Sequence, residues 1–97
     1  MSNIIPENKP DFAVEELDTF SSMFVSKVIL FNDNIHTFDD VISQLIKAIG
    51  CSSERAEAYA WEVHTKGKAC VFLGEIEKCL KVSAILEEIG LHTQIES

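Results

Sequence analysis

The chain has 97 residues, of which 46% are apolar, 25% charged and 8% aromatic; that length holds one small domain and leaves no room for a cofactor-binding half beside a substrate half. Sixteen acids against eight bases give a net charge of −8, which argues against nucleic acid, whose binding rests on cations neutralising phosphates, and against an anionic membrane surface. The three cysteines, Cys51, Cys70 and Cys79, are odd in number and contain no C-x-x-C pair, so they resemble neither a disulfide framework nor a zinc knuckle and suit a reducing compartment.

Residues 1–26 carry five acids (Glu7, Asp11, Glu15, Glu16, Asp18) against one base, Lys9, a net of −4, with Pro6 and Pro10 in the first half. No apolar period is sustained there, so a flexible acidic N-terminal extension is expected ahead of a core domain at 27–97. Its Phe12, Phe20 and Phe24 either pack loosely on that domain or contact a partner. The opening MSNIIPENKPDF has no basic stretch followed by an apolar one, as a secretory signal would. No run nears the ~20 apolar residues of a membrane span. A cytoplasmic protein is expected.

From Lys27 the patterns sharpen. KVILF (27–31) is a short β-branched, apolar run closed by the polar cluster Asn32-Asp33-Asn34, which predicts a buried strand and a turn. Phe38, Val41, Ile42, Leu45, Ile46 and Ile49 then recur at helical spacing and predict an amphipathic helix that Gly50 stops. Thr37 is placed to cap it, with Asp40 three residues on as the answering carboxylate. A second helix follows Ser52, with Ala56, Tyr59, Ala60 and Val63 on one stripe, and ends at Gly67. Ala69–Leu73 predicts another strand. A third helix starts near Glu75, buries some of Ile76, Cys79, Leu80, Val82, Ile85, Leu86 and Ile89, and stops at Gly90; Leu91–Ile95 then forms a last strand. The order β-α-α-β-α-β predicts an α+β two-layer sandwich, with a three-stranded antiparallel sheet packed against three helices.

Chemistry concentrates in two places. FNDNIHTF (31–38) leaves a strand and enters a helix, an edge where a pocket opens. Taken alone, ordinary turn and cap chemistry accounts for its residues more readily than a binding role does. His64, three residues before the helix-ending Gly67, reads by itself as a surface histidine favoured by the helix C-terminus. The three histidines show no metal-ligand spacing, and no cofactor is implied. Cys70 falls mid-strand in an apolar run, a setting that keeps a thiol protonated and inert. Trp61 lies off the apolar stripe of its helix, where it either sits idle or marks a contact surface.

Taken together, VILFNDNIHTF, EVHTKGKA at 62–69 and a helix opening with Gly74-Glu75 resemble the ClpS family, over residues 27–97. ClpS proteins are non-enzymatic adaptors that deliver N-degron substrates to ClpA- or ClpC-type unfoldases. The resemblance implies that Asn32, Asp33 and His64 hold the free α-amino group of a substrate whose first residue is Phe, Leu, Trp or Tyr. It also implies an apolar pocket of Phe38, Val41, Ala60, Val63 and Leu91 for that side chain, with Asn34, His36 and Thr37 at the rim. It places unfoldase docking at Glu75, with Lys81 as the basic partner, and implies a monomer. The chain departs from the family at Asn34, where Asp is common, and at Phe38 and Ala60, where Met is common. These departures bear on the ranking of first residues.

The chemistry suits the role. An α-amine arrives largely as a cation with three donors, and an amide oxygen, a carboxylate and a neutral imidazole nitrogen are its natural acceptors. Two competitors remain: a generic protein-interaction domain of the same fold, like the C-terminal domain of the ribosomal stalk protein, and a small hydrolase using His64 with Asp33 or Cys70. The second lacks an evident oxyanion loop.

Overall fold

In the computed structural model, which describes residues 25–97, the elements run β1 (Ser26–Phe31), α1 (Phe38–Ile49), α2 (Ser53–Lys66), β2 (Lys68–Gly74), α3 (Ile76–Glu87) and β3 (Thr93–Glu96). The expected acidic extension with Phe12, Phe20 and Phe24 lies outside the described residues, apart from Val25 and Ser26. The sheet order is β2-β1-β3, and both pairings are antiparallel. This is the α+β order that the periodicities predict.

β1 is central because its side chains have nowhere else to go: Val28 and Leu30 are wholly buried and Ile29 nearly so. Central strands read as continuous apolar runs for this reason. The helical layer adds Leu45 from α1, Ala56 and Val63 from α2, and Cys79, Val82 and Leu86 from α3. A register shift after Val28, which pairs with Phe72 while Ile29 pairs with Cys70, leaves Val71 as an extra residue in β2. Such a bulge increases local twist.

The caps form as predicted. Thr37 Oγ1 accepts from the Asp40 N–H at 3.1 Å, and Asp40 Oδ2 accepts from the Thr37 N–H at 3.2 Å. Ser52 Oγ caps α2 through the Arg55 N–H at 3.1 Å. α3 has no basic residue in its last turn, and its orphan carbonyl end is served from elsewhere. Gln44 Nε2 donates to the Ile85 carbonyl at 2.6 Å, and Lys47 Nζ pairs with Glu88 at 2.9 Å. Both donors stand on α1, so this polar clasp fixes one helix against the other.

Three sequence expectations shift. α3 ends at Glu87, and a short turn carries the chain on to Gly90, whose φ of 91° is left-handed and favours glycine. β3 begins at Thr93 rather than Leu91, because Leu91 is buried as a wall residue ahead of the strand. Cys70 is exposed, not set in an apolar interior. β2 turns Ala69 and Val71 inward, and strand alternation sends Cys70 to the other side.

Burial separates positions that look alike in sequence. Leu45→Ala removes a side chain with no exposure and should lower unfolding free energy by about 2–5 kcal/mol in urea titrations. Leu80→Ala, at a leucine 55% exposed on α3, should change it by about 0.5 kcal/mol or less.

Candidate functional site

Two backbone hydrogen bonds bring the halves of the site together. Phe31 N–H donates to the His92 carbonyl at 3.0 Å, and Asn32 N–H donates to the Gly67 carbonyl at 2.9 Å. Gly67 caps α2 at a φ of 88°, a conformation that a β-carbon would strain. The cap ties the end of β1 to the last turn of α2, so Asn32 lies beside His64, three residues before Gly67.

A cavity of about 380 Å³ opens there, within the range of small-ligand sites. It is lined by Asn32, Asp33, Asn34, His36, Thr37, Phe38, Val41, Ala60, Val63, His64 and Leu91, together with Leu30 and Phe31. All eleven sequence-predicted residues of the amine site, pocket and rim therefore meet at one cavity. Leu30 and Phe31 are additions; the alternation of β1 makes Leu30 a core residue first, and its share in the cavity follows from that position. Glu75 and Lys81 lie elsewhere. Both are exposed, Glu75 at the N-cap of α3 without a side-chain cap bond, and their six-residue spacing does not put them on one helix face.

The polar residues of the loop fall into two kinds. Asp33 is already occupied. Its Oδ1 accepts from the N–H groups of Ile35 and His36, each at 3.0 Å, and its Oδ2 meets His36 Nδ1 at 2.7 Å. A carboxylate offers about four acceptor positions, so the loop consumes most of them. His36 in turn donates from Nε2 to the Ile89 carbonyl at 2.5 Å, just past the end of α3. A carbonyl only accepts, and Nδ1 faces a carboxylate, so the protonated ring is the form that satisfies both partners at once. Asn32 and His64 differ: among the described residues their side chains make no hydrogen bond. These two exposed groups line the cavity.

Two of the lining residues, Phe38 and His64, pack with a third ring, Trp61, that does not itself line the cavity. Phe38 lies edge to face with Trp61 at a centroid distance of 4.8 Å and with His64 at 5.4 Å, and Trp61 and His64 are 6.1 Å apart. Trp61 escaped the sequence reading as a site residue because its partner stands on a different helix; its i,i+3 spacing to His64 was the one local hint. Among the described residues no group of three or more His, Cys, Asp or Glu side chains is placed to hold a metal ion.

The sequence model of the family described as "ATP-dependent Clp protease adaptor protein ClpS" matches residues 22–94. The chain is 33% identical over 73 residues to the E3 ubiquitin-protein ligase UBR2 of Homo sapiens, covering 75% of this chain and 4% of that protein. It is 34% identical over 59 residues to UBR1 of Drosophila melanogaster, covering 61% of this chain and 3% of that protein. The chain thus spans only a small part of the length of these ligases. Among solved structures, Agrobacterium tumefaciens ClpS2 bound to L-phenylalaninamide matches with a TM-score of 0.71 at 20% identity, covering 75% of this chain and 95% of that one. This likeness shows the same fold.

The Asp33–His36 pair makes the loop pH-sensitive. Burial pushes the Asp33 carboxyl up, but hydrogen bonds from the His36 backbone, the His36 ring and the Ile35 backbone outweigh it and hold the group below its ordinary 3.8. The hydrogen bond to Asp33, then that to the Ile89 carbonyl, raises His36 above its ordinary 6.5. A depressed carboxyl stabilises above 3.8 and loses its contribution as pH falls through the lowered value. A raised imidazole stabilises below 6.5 and loses its contribution as pH rises through the raised value. Both contributions are complete between those limits. The stability gap between wild type and His36→Gln in denaturant titrations should therefore be widest near about pH 5.5 and should narrow by about pH 9.

Proposed function

The chain belongs to the ClpS family of protease adaptors, and from that premise we propose that it captures polypeptides by a bulky apolar first residue and passes them to a Clp-type unfoldase. The observation that carries this function is the junction of two unlike surfaces. Phe38, Val41, Ala60, Val63 and Leu91 form apolar walls, and the side-chain acceptors of Asn32 and His64, which no described residue engages, line the same cavity. Only the first residue of a chain presents an ammonium group and a side chain from the same carbon, so only it fills both at once. That ClpS2 binds L-phenylalaninamide, an amino-acid amide with a free amine and an apolar side chain, supports the same chemistry here.

The residues divide the work. Asn32 Oδ1 and a ring nitrogen of His64 accept from the α-amine. Asp33 contributes its negative charge while holding the loop in shape. Asn34, His36 and Thr37 form the rim, and His36 is fixed by Asp33 and Ile89. Burying one large side chain contributes about 1.5–3 kcal/mol, and charge-assisted hydrogen bonds contribute a similar amount. Their sum corresponds to tens of micromolar or weaker before the following residues of the substrate add contacts. Such affinity suits a carrier that must release its cargo.

No bond of the substrate is broken in this scheme; the adaptor is not an enzyme and acts as a monomer in the cytoplasm. Glu75, with Lys81, meets the N-terminal domain of a ClpA- or ClpC-type unfoldase, on α3 and away from the cavity.

Anisotropy titrations with labelled peptides that begin with Phe, in free and N-acetylated forms, test the proposal. Acetylation removes the charge and should weaken binding by about 2–5 kcal/mol. Asn32→Ala and His64→Ala should each weaken the free peptide by about 1–3 kcal/mol with the denaturation midpoint unchanged. Equal binding of both peptides would identify a generic interaction domain, and cleavage of the peptide would identify a hydrolase.

A further inference from the structure

Trp61 is the only tryptophan of the chain, and it is 52% exposed on α2. The buried residues of that helix are Ala56, Ala60 and Val63, so the indole is no part of the core. It stands instead against Phe38, the first residue of α1, with ring centroids 4.8 Å apart and planes at 78°. His64 meets the same phenylalanine at 5.4 Å and 79°. These separations and angles are those of attractive edge-to-face pairs. Phe38 begins its helix directly after the Thr37–Asp40 capping box, which fixes its backbone. Its remaining freedom is two side-chain torsions, and the two neighbouring rings, themselves 6.1 Å apart, restrict them.

We propose that Trp61 is a positioning residue that sets which first residues the cavity accepts, by pinning the Phe38 ring as a fixed aromatic wall. This rests on the cavity being a receptor for a chain's first residue. An unbraced, flexible side chain at the mouth would shift to suit guests of different shape. A braced ring does not shift, and Ala60, another wall residue, is small and buried. Flat guests slide beside a fixed ring and pair with it, whereas a branched aliphatic guest has to displace it. Aromatic first residues should therefore be favoured over leucine by about two- to tenfold, the factor one added aromatic pair supplies.

The test uses the full chain and two labelled peptides, one beginning with Phe and one with Leu and otherwise identical. Wild type should bind the Phe peptide about two- to tenfold more tightly. Trp61→Ala should bring the ratio of the two dissociation constants close to one at an unchanged denaturation midpoint. Trp61→Leu, which keeps apolar bulk without a ring, should do the same. Trp61→Phe should restore the wild-type ratio. A purely structural role would weaken both peptides alike and leave the ratio alone. If wild type binds both peptides and the ratio survives in Trp61→Ala and Trp61→Leu, or favours Leu from the start, the role of Trp61 is overturned and the receptor function stands. If wild type binds neither peptide, the receptor function itself falls, and this inference with it.

Discussion

The site depends on one carboxylate. Asp33 gathers the N–H groups of Ile35 and His36 and the His36 ring into a single turn, and His36 extends the chain of bonds to the Ile89 carbonyl. Without that charge the six residues between β1 and α1 would have no internal reason to hold one shape, since a short polar loop is otherwise free to explore several. With it, the loop is anchored to the end of α3. Asn32 then points its amide at the cavity, and Thr37 arrives where it caps α1. The carboxylate expected to grip the amine thus has a prior task in shaping the loop that lines the cavity.

How far the sequence revealed the molecule follows from the range of the interactions involved. α1 was legible end to end because everything that defines it is local: Thr37 and Asp40 at one end, an apolar residue every third or fourth position, and Gly50 at the other. The end of α2 at Gly67 was legible for the same reason. The start of β3 was misplaced because Leu91 is apolar for the sake of the cavity, and apolarity in a sequence does not say which purpose it serves. Cys70 was misread because four neighbouring apolar residues hide the alternation of β2. The cavity residues were legible through a motif that joins two segments some thirty positions apart, not through any pattern within either. The Phe38–Trp61 contact crosses two helices, so nothing in the neighbourhood of either residue announces it.

Ala60, Val63 and Leu91 serve two purposes at once. Each is almost wholly buried, and each lines the cavity. A domain this small cannot keep its core and its pocket separate, because it buries too little surface to build both. Function and stability therefore share residues on the apolar side and part company on the polar side. Asn32 and His64 are exposed, and their side chains make no hydrogen bond among the described residues.

That division explains the choice of polar groups. A chain with a net charge of −8 already draws cations toward it, so attraction is not what the site lacks; it lacks discrimination. A bare carboxylate at the mouth would hold any ammonium, that of a lysine side chain included, because charge attraction is poor at reading geometry. Here the loop's carboxylate is engaged by the His36 ring 2.7 Å away and by two backbone N–H groups. The acceptors proposed for a guest are an amide oxygen and an imidazole nitrogen, which hold a donor only at the right distance and angle. A lysine ammonium reaches them only by leaving the apolar cavity empty, because its charge sits at the far end of its side chain. A first residue carries charge and side chain on one carbon and engages both surfaces together. In the proposed function, selectivity for chain starts would arise from directional acceptors set against an apolar cavity, with the Asp33 carboxylate engaged in holding the loop.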